Sequence, residues 1–373
     1  MPCPDERGAV LFTLIRSERL ILVAIVAGIA GLASEHSLIG MGQVASLAGA
    51  VFLIGAIILA SMRVAHHAEL LATKVGDPYG TMILTLSAVL VEVVILAIMM
   101  SSSESSPTLV RDTIYSAVML DINGILGIAA LLGGLKHGEQ PYNDDSSRTY
   151  CVMILTAMSI SMIVPEFIPQ AKWHFYSAFT IVAMIMLYGL FLRMQVGAHS
   201  YFFSYSYPKT RREKAVGRVE EPESTTLSIG ILVFGIVVIG VLAEIMSALL
   251  NTGLAGTGAP PILAAIVVAA ISAAPEIMTA MRSALANHMQ SVVNIALGAS
   301  LSTVILTVPV MEAIALYTGQ PFIMAMTPVQ TVMITITLIV AAINLNDGET
   351  NAIEGMTHFV LFATFVMLSC LGL

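Results

Sequence analysis

The chain has 373 residues, of which 57% are hydrophobic and 11% are charged, and its mean hydropathy is +0.90. A soluble globular protein needs about 25% charged residues to cover its surface, so this composition excludes a soluble enzyme, a nucleic-acid-binding protein and a disordered chain. The net charge of −8 also argues against a nucleic-acid partner. What remains is an all-α polytopic membrane protein, whose apolar side chains face the lipid bilayer and one another.

Eleven stretches are apolar enough to form transmembrane helices, which need about 20 residues each. The first follows Arg16 and Arg19, and residues 31–33 read Gly-Leu-Ala, so a cleaved signal peptide is the alternative to a retained helix there. The predicted helices are residues 20–36, 43–66, 80–100, 112–135, 150–168, 173–194, 226–248, 260–284, 291–315, 323–344 and 355–373.

The distribution of positive charge predicts the orientation of the chain. Lys and Arg collect in the cytoplasmic loops of membrane proteins. If the N-terminus is cytoplasmic, only Arg111 and Lys172 of the 16 Lys and Arg residues fall on the outer side. We therefore expect a cytoplasmic N-terminus and a periplasmic C-terminus.

The polar segment 195–225 is predicted to be a cytoplasmic linker that divides the chain into two halves. Residues 1–42 hold one extra helix, residues 43–194 hold five helices, and residues 226–373 hold five more. An odd number of spans per half makes the two halves enter the membrane from opposite sides. This arrangement indicates a 5+5 inverted repeat, which is common in secondary transporters.

Acidic and polar residues recur in the same order in both halves. Each half has a lone glutamate deep in an apolar helix, an acidic residue in the preceding helix, and polar residues at mid-depth in the following helix. The lone glutamates are Glu92 and Glu276, and the acidic residues of the preceding helices are Glu69 and Glu244. In the following helices, Asp121 and Asn123 of the first half correspond to Ser300 and Ser302 of the second.

Glu92 and Glu276 are the predicted cation- and proton-binding residues. A charge at the bilayer centre costs at least about 2.5–3.5 kcal/mol, so such residues usually mark transport pathways. The alternative is a protonated side chain that only hydrogen-bonds a neighbouring helix. Two bare carboxylates in an empty site are unfavourable, so they should bind protons, which an arriving cation would displace.

Several neighbouring groups are candidate supporting ligands, and all of them offer oxygen atoms. Pro275 removes a backbone donor and should free the carbonyl of Ile271, and Ser272 shares the helical face of Glu276. The flanking helices add Ser87, Asn123, Ser302 and Thr303. Oxygen ligands suit a hard cation such as Ca²⁺, and the alternative role for each hydroxyl is helix packing. The three scattered cysteines offer no thiolate metal site.

Sequence motifs across residues 43–373 resemble a known family. Residues 347–355 read DGETNAIEG and are similar to the pattern Asp-Gly-x-Ser-Asn-x-x-Glu-Gly of the calcium/cation antiporter superfamily. The similarity is strongest to its ChaA-like bacterial sodium(calcium)/proton antiporters. The other matching stretches are residues 64–72, 76–81, 134–140, 274–276 and 298–302.

This sequence departs from the superfamily at its ion-binding signature, Gly-Asn-x-x-Glu. At the Gly-Asn positions of this signature the chain has Ala88-Val89 before Glu92 and Ser272-Ala273 before Glu276, so both asparagines are missing. The departure leaves the identity of the ion open. Asp121 is an additional intramembrane acid, either a further ligand or a locally paired structural residue.

The resemblance implies an antiporter of the bacterial inner membrane, which exchanges Ca²⁺ and/or Na⁺, with K⁺ as a third candidate, for protons by alternating access. The cations and protons are cargo, and no cofactor is implied. The alternative is a cation channel with an intramembrane carboxylate filter. A membrane enzyme is not supported, because the sequence has no nucleophile–base constellation.

The remaining polar residues are assigned to the ends of the helices. The inverted repeat predicts Glu69 at the cytoplasmic mouth of the pathway and Glu244 at the outer mouth. His66 and His67 either tune the pH response at the cytoplasmic end or are inert. Glu166, Glu312 and the acids of residues 347–354 are expected near the outer surface and solvated.

Overall fold

The computed structural model describes residues 17–75, 79–101, 106–196 and 224–373. The first 16 residues of the N-terminal segment, residues 76–78 of the family motif and residues 197–223 of the predicted linker lie outside the described residues. The described chain is almost entirely helical, which confirms the predicted all-α class.

Twelve helices and one two-stranded ribbon follow one another within the described chain. Three of the helices contain a π-helical segment, at Leu120–Leu126, Ser159–Ile163 and Thr303–Thr307. The helices are α1 (Arg19–Gly40), α2 (Gln43–Val75), α3 (Tyr79–Ser101), α4 (Leu109–His137), α5 (Asp144–Phe167), α6 (Trp173–Val196), α7 (Thr225–Leu254), α8 (Ile262–Ser272), α9 (Ala274–Leu285), α10 (Met289–Thr318), α11 (Pro328–Asn344) and α12 (Ala352–Cys370). The strands are β1 (Gln140–Pro141) and β2 (Glu349–Thr350).

Among the described residues, nine helices are long and apolar enough to cross a membrane, or ten if α8 and α9 form one span. The apolar helix α11 has 17 residues. At 1.5 Å per residue it is about 26 Å long, a little shorter than the roughly 30 Å hydrocarbon core. The chain is therefore a multi-span membrane protein with a helix in each of the eleven predicted stretches.

Helices dominate because lipid offers no hydrogen-bond partners, so each span must satisfy its own backbone. Large apolar side chains such as Val26, Phe175 and Val237 stay exposed on the outer surface, where lipid would cover them. Inside, α2 packs along α7, and α1 packs against both. The buried small residues Ala24, Ala27 and Gly31 of α1 allow this close packing.

The helical course of residues 262–285 is interrupted at Ala273, where α8 and α9 meet at an angle of 57°. Pro275 lies in the first turn of α9 and has no N–H to donate back to Ile271. A proline explains both the end of α8 and the bend.

The ribbon determines which connections lie at the same end of the molecule. Gln140 pairs with Thr350, and Pro141 pairs with Glu349. Gln140 also donates to Asn287 (Nε2–Oδ1 2.9 Å). The connections 138–143, 286–288 and 345–351 therefore share one end, which we call the ribbon end.

The ribbon corrects the predicted position of residues 347–354 at the outer surface. Lys136 and Arg148 flank the 138–143 connection and were assigned to the cytoplasmic side, whereas residues 347–354 were expected on the outer side. Antiparallel pairing of the two connections requires a common side. The opposite end, here the far end, carries the connections 168–172 and 319–327 and residues 106–108, with Ile323 N donating to Pro107 O (2.9 Å).

Candidate functional site

A cavity of about 310 Å³ lies between α2, α3, α4, the α8–α9 break and α10. We call it the central cavity. Its lining contains eight of the thirteen predicted site residues, which are Glu69, Ser87, Glu92, Asp121, Ser272, Glu276, Ser302 and Thr303. Two glutamates far apart in sequence thus border one space.

Glu92 is held in the continuous helix α3 and is 3% exposed. Its Oε2 atom accepts hydrogen bonds from Thr303 (2.9 Å) and Thr307 (3.1 Å) of α10. Its Oε1 atom is buried and has no partner among the described residues. Thr307 was not predicted, although its spacing of four residues from Thr303 places both hydroxyls on one helical face.

Glu276 occupies the first turn of α9, directly after the break. It is partly exposed, and its side chain accepts a hydrogen bond from its own backbone N–H. Its Oε2 atom is without a partner in the described part of the chain. The N-terminal end of a helix carries partial positive charge, which favours an anionic group at this position.

The backbone at the break keeps one helical hydrogen bond, from the Ala273 N–H to Ala269 O (3.0 Å). The Ala273 N–H also lies near the Ile271 carbonyl oxygen. The Ile271 side chain is buried outside the lining. Ser272 lines the cavity, and its hydroxyl donates to Ala269 O (3.0 Å).

Asp121 lines the cavity and is also hydrogen-bonded to a neighbouring helix. It lies in the π-helical segment of α4, is 2% exposed and lines the cavity. Its Oδ2 atom accepts a hydrogen bond from Ser300 Oγ (3.1 Å). The carboxylate is therefore both locally paired and available at the cavity wall.

Asn123, two residues further along α4, does not line the cavity and instead forms a packing contact. Its Nδ2 atom donates to Thr337 Oγ1 of α11 (2.8 Å), and its Oδ1 atom lies 2.9 Å from His358 Nδ1 of α12. Its predicted role as a ligand is not supported, because both ends of the amide are engaged away from the cavity. His358 was not singled out from the sequence, where it stands alone in an apolar helix.

The hydroxyls of Ser87 and Ser302 both donate to carbonyls one turn earlier in their own helices. The acceptors are Ile83 O (2.7 Å) and Gly298 O (2.6 Å). Their oxygen atoms keep lone pairs and remain in the lining of the cavity.

The predicted residues at the mouths of the pathway lie in different surroundings. Glu69 is exposed and lines the cavity near the end of α2, whereas Glu244 is exposed on α7 and is absent from the described lining. His67 is buried with Nε2 3.3 Å from Glu18 Oε1, and the His66 ring lies 5.7 Å from the ring of His67. His67 thus faces the start of α1.

Glu18 joins α1 to α2 through a small charged cluster. Its carboxylate pairs with the Arg63 guanidinium, and one of these bonds, Nε to Oε2, is 2.7 Å long. Burial pushes the pKa of Glu18 upwards, but the hydrogen bond and charge of Arg63 outweigh it, and His67 adds to their effect, so the pKa is lowered. This cluster was not predicted, because its members are 45 and 49 residues apart in the chain.

Over the described chain, no group of three or more His, Cys, Asp or Glu side chains is close enough to hold a metal ion. Glu92 and Glu276 border the same cavity from two different helices, α3 and α9.

Glu312 differs from the prediction of a solvated residue. It is 2% exposed and faces a second cavity at the far end, with a volume of about 360 Å³. Glu166, at the same end, is exposed as expected.

Comparison with known proteins identifies the family. The sequence pattern of the family described as "Sodium/calcium exchanger protein" matches residues 45–197 and 227–371. The sodium-potassium/proton antiporter ChaA of Escherichia coli (strain K12) is 31% identical over 318 residues, which are 84% of this chain and 86% of that protein. A Ca²⁺/H⁺ antiporter of Aphanothece halophytica is 23% identical over 315 residues, covering 80% and 83% of the two chains.

The fold is also shared with a solved structure. The structure of native YfkE matches with a TM-score of 0.72 at 17% identity, over 93% of this chain and 99% of that chain. The resemblance inferred from the sequence motifs is confirmed. The chain belongs to the sodium/calcium exchanger protein family, a family of membrane antiporters of inorganic cations rather than enzymes.

Proposed function

We propose that this protein exchanges an inorganic cation for protons by alternating access at the central cavity, with Glu92 and Glu276 as the shared binding groups. The observation that carries the proposal is that these two residues share one cavity. Both glutamates line one cavity, and each has an oxygen atom without a partner among the described residues.

The energetics of burial couple the two fluxes. An ionised carboxylate at mid-membrane costs several kcal/mol unless it is paired. The site is therefore stable with protons bound or with a cation bound, and unstable when empty and charged. A transporter that can change its orientation only from the stable states exchanges one cargo for the other.

Ca²⁺ and Na⁺ are the proposed cations, with K⁺ as a third candidate. The lining offers carboxylates and hydroxyls, which are the ligands that hard cations prefer. The relatives support both choices, since one is named for Na⁺ and K⁺ and another for Ca²⁺. The missing asparagines leave Asp121 as an additional anionic group beside the site, which favours a divalent cation over a monovalent one.

The direction of access follows from the lining. The central cavity extends from Glu92 to Glu69 and Thr279, which lie towards the ribbon end of α2 and α9. Lys136, Arg148 and Arg282 lie at this end, so we assign it to the cytoplasm of a bacterium. The N-terminus is then cytoplasmic, the C-terminus periplasmic, and the present conformation is open to the inside.

The proposal includes a 5+5 inverted repeat, residues 43–194 against 226–373. Its support is the match between α4 and α10, which follow the two glutamate-bearing helices and each contain a π-helical segment at mid-length. The repeat places Glu244 at the outer mouth, which is closed when the cavity is open to the ribbon end.

The deciding experiment measures coupled flux in everted membrane vesicles. We expect an imposed gradient of Ca²⁺ or Na⁺ to drive proton movement in the opposite direction, tested ion by ion with a pH-sensitive dye. A channel would instead conduct the cation without proton movement and would pass current in a planar bilayer. Conductance without proton coupling would overturn the proposal.

Competition between protons and the cation provides a second test. Because both bind the same oxygens, we expect the apparent cation affinity to rise with pH between about pH 6 and about pH 9, while the maximal rate changes less. An affinity that is independent of pH over this range would contradict a shared site.

A further inference from the structure

The far-end cavity contains a buried carboxylate that the exchange mechanism does not use. Glu312 projects from α10 into this cavity, and only 2% of the residue is exposed. Its carboxylate accepts a hydrogen bond from Ser177 of α6. The Oε2 atom has no partner among the described residues. A buried carboxylate oxygen without a donor is costly, so the site is incomplete as it stands.

A second buried oxygen atom that borders this cavity also has no hydrogen-bond partner among the described residues. Gln320 lines the cavity, and its Oε1 atom is buried without a partner in the described structure. Residues 320–327 beside it are outside regular helix, so their backbone carbonyls can turn towards a ligand. Carboxylate, amide, hydroxyl and carbonyl oxygens together form the ligand set of a hard cation.

The charge around Glu312 is not neutralised by a basic side chain. The described lining contains neither Lys nor Arg. Arg111 approaches the wall through a hydrogen bond to Ala325 O (2.9 Å), but its charge is paired with Asp112 (2.8 Å). The exposed His174 is the remaining titratable group with a basic side chain in this lining. The cavity therefore holds a buried carboxyl group that has no Lys or Arg partner in the described lining.

The far-end cavity is separate from the central cavity. The two have no lining residue in common. Along α10, Thr307 hydrogen-bonds to Glu92, and Glu312 lies five residues further on. At 1.5 Å per residue this is about 7.5 Å along the helix axis towards the far end.

From these features we infer that the far-end cavity is a second cation-binding site, in which Glu312, Gln320 and Ser177 supply oxygen ligands to a hard inorganic cation such as Ca²⁺. The inference does not depend on the exchange mechanism proposed for the central cavity. A cation here would satisfy both orphaned oxygen atoms and neutralise the buried charge.

The chain supplies its own probe for this site. Trp173 is the single tryptophan of the protein, and it lines the far-end cavity. Purified full-length protein in detergent would be titrated with Ca²⁺ and, separately, with Tb³⁺. We expect a saturable change in tryptophan fluorescence with Ca²⁺ and tryptophan-sensitised luminescence from Tb³⁺, with Ca²⁺ competing for the Tb³⁺ signal.

Variants distinguish this site from the central one. Glu312→Gln should weaken the apparent Ca²⁺ affinity at least about tenfold, because it removes the anionic ligand. Glu166→Gln, an exposed carboxylate at the same end, is the matched control and should bind as the wild type does. Glu276→Gln should also keep the signal, because it affects only the central cavity.

Three outcomes would overturn the inference. They are the absence of a saturable signal in the wild type, an unchanged affinity in Glu312→Gln, and loss of the signal in Glu276→Gln, which would show that Trp173 reports the central cavity. If Glu312→Gln does not fold, Gln320→Leu replaces it, with an expected severalfold loss of affinity. Failure of transport in vesicles would leave these binding results unaffected, so the two proposals fail separately.

Discussion

The helices that carry Glu92 and Glu276 differ in how they hold their carboxylates. Glu92 lies within the unbroken helix α3, where two threonine hydroxyls of α10 bind one of its oxygens. Glu276 lies in the first turn after a 57° break, partly exposed to the cavity, with its own backbone N–H as its hydrogen-bond donor. One carboxylate is positioned by a neighbouring helix, and the other by the shape of its own backbone.

The two glutamates, which the proposed repeat makes equivalent, are therefore supported differently. Glu92 is hydrogen-bonded to α10, whereas Glu276 follows the bend at Ala273, so we expect Glu276 to be the more mobile of the two. The wall formed by α8 and α9 is therefore the part of the site that we expect to close around a cation. The predictions below test this difference.

The largest effect is expected from removing either carboxylate. Glu92→Gln and Glu276→Gln should each reduce exchange below about a tenth of the wild-type rate, because glutamine keeps the shape but cannot alternate between proton and cation. Transport in everted vesicles measures the effect, and Glu166→Gln is the control. A residual rate well above this level in either variant would remove that residue from the exchange site.

The next test asks whether the hydrogen bonds from α10 position Glu92. Thr303→Val with Thr307→Val removes both donors to Glu92 and should lower transport about fivefold or more, since a hydrogen bond contributes a net of about 1 kcal/mol. Thr335→Val, whose hydroxyl bonds only within α11, is the matched control. Wild-type transport in the double variant would mean that the hydroxyls do not position Glu92.

Straightening the break should affect Glu276 alone. Pro275→Ala restores an N–H that can bond the Ile271 carbonyl, so we expect a straighter helix and a severalfold lower rate. Cysteine crosslinking or hydrogen exchange across residues 270–278 would measure the geometry independently of transport. Unchanged transport with a demonstrably straightened helix would show that the bend is dispensable.

A smaller, sided effect is expected at Glu69 and Glu244. Glu69→Gln should mainly impair cation capture from the cytoplasm, and Glu244→Gln should impair the outer half-reaction. Some transport should remain, because each mouth is hydrated. Flux measured in both directions in oriented vesicles distinguishes the two variants. The same sidedness for both would contradict the assignment of one glutamate to each mouth.

The smallest effect concerns Glu18, which has no counterpart in this comparison because it precedes the proposed repeat. Its pKa is lowered in the folded protein. Its pair with Arg63 therefore stabilises the fold above the ordinary carboxyl pKa, and this contribution is lost as the pH falls through the lowered pKa. Thermal unfolding in detergent should show a component with this pH dependence that Glu18→Gln lacks. A double-mutant cycle with Arg63→Gln would test whether the pair is responsible.

Much of the fold could be predicted because its signals are local. A helix that crosses a membrane must be apolar over about 20 residues, so the spans appear directly in the sequence. A glutamate inside such a helix stands out because burying its charge is costly. Glu92, Glu276 and Asp121 were identified on this basis, and all three line one cavity.

The tertiary structure decided which polar side chains share that cavity. Asp121 and Asn123 are two residues apart in the π-helical segment of α4 and therefore lie on roughly opposite sides of their helix, so only one of them can face the site. The identity of that residue depends on the packing of α4 against α11 and α12, to which Asn123 is bonded. Hydropathy contains no information about this rotation.

Two further features were also decided by packing. Glu312 looks like a helix-end residue in the sequence, and its burial results from the fold of α6 and the 319–327 connection over it. The 347–354 loop was expected at the outer surface, and its pairing with Gln140 and Pro141 places it instead at the end that carries the 138–143 connection. The sequence by itself thus determined the spans and their charged residues, because hydration costs act residue by residue. Which side chains are neighbours, which of them line a cavity and which end of the molecule a loop occupies depended on contacts between distant segments. Only the folded chain brings these segments together.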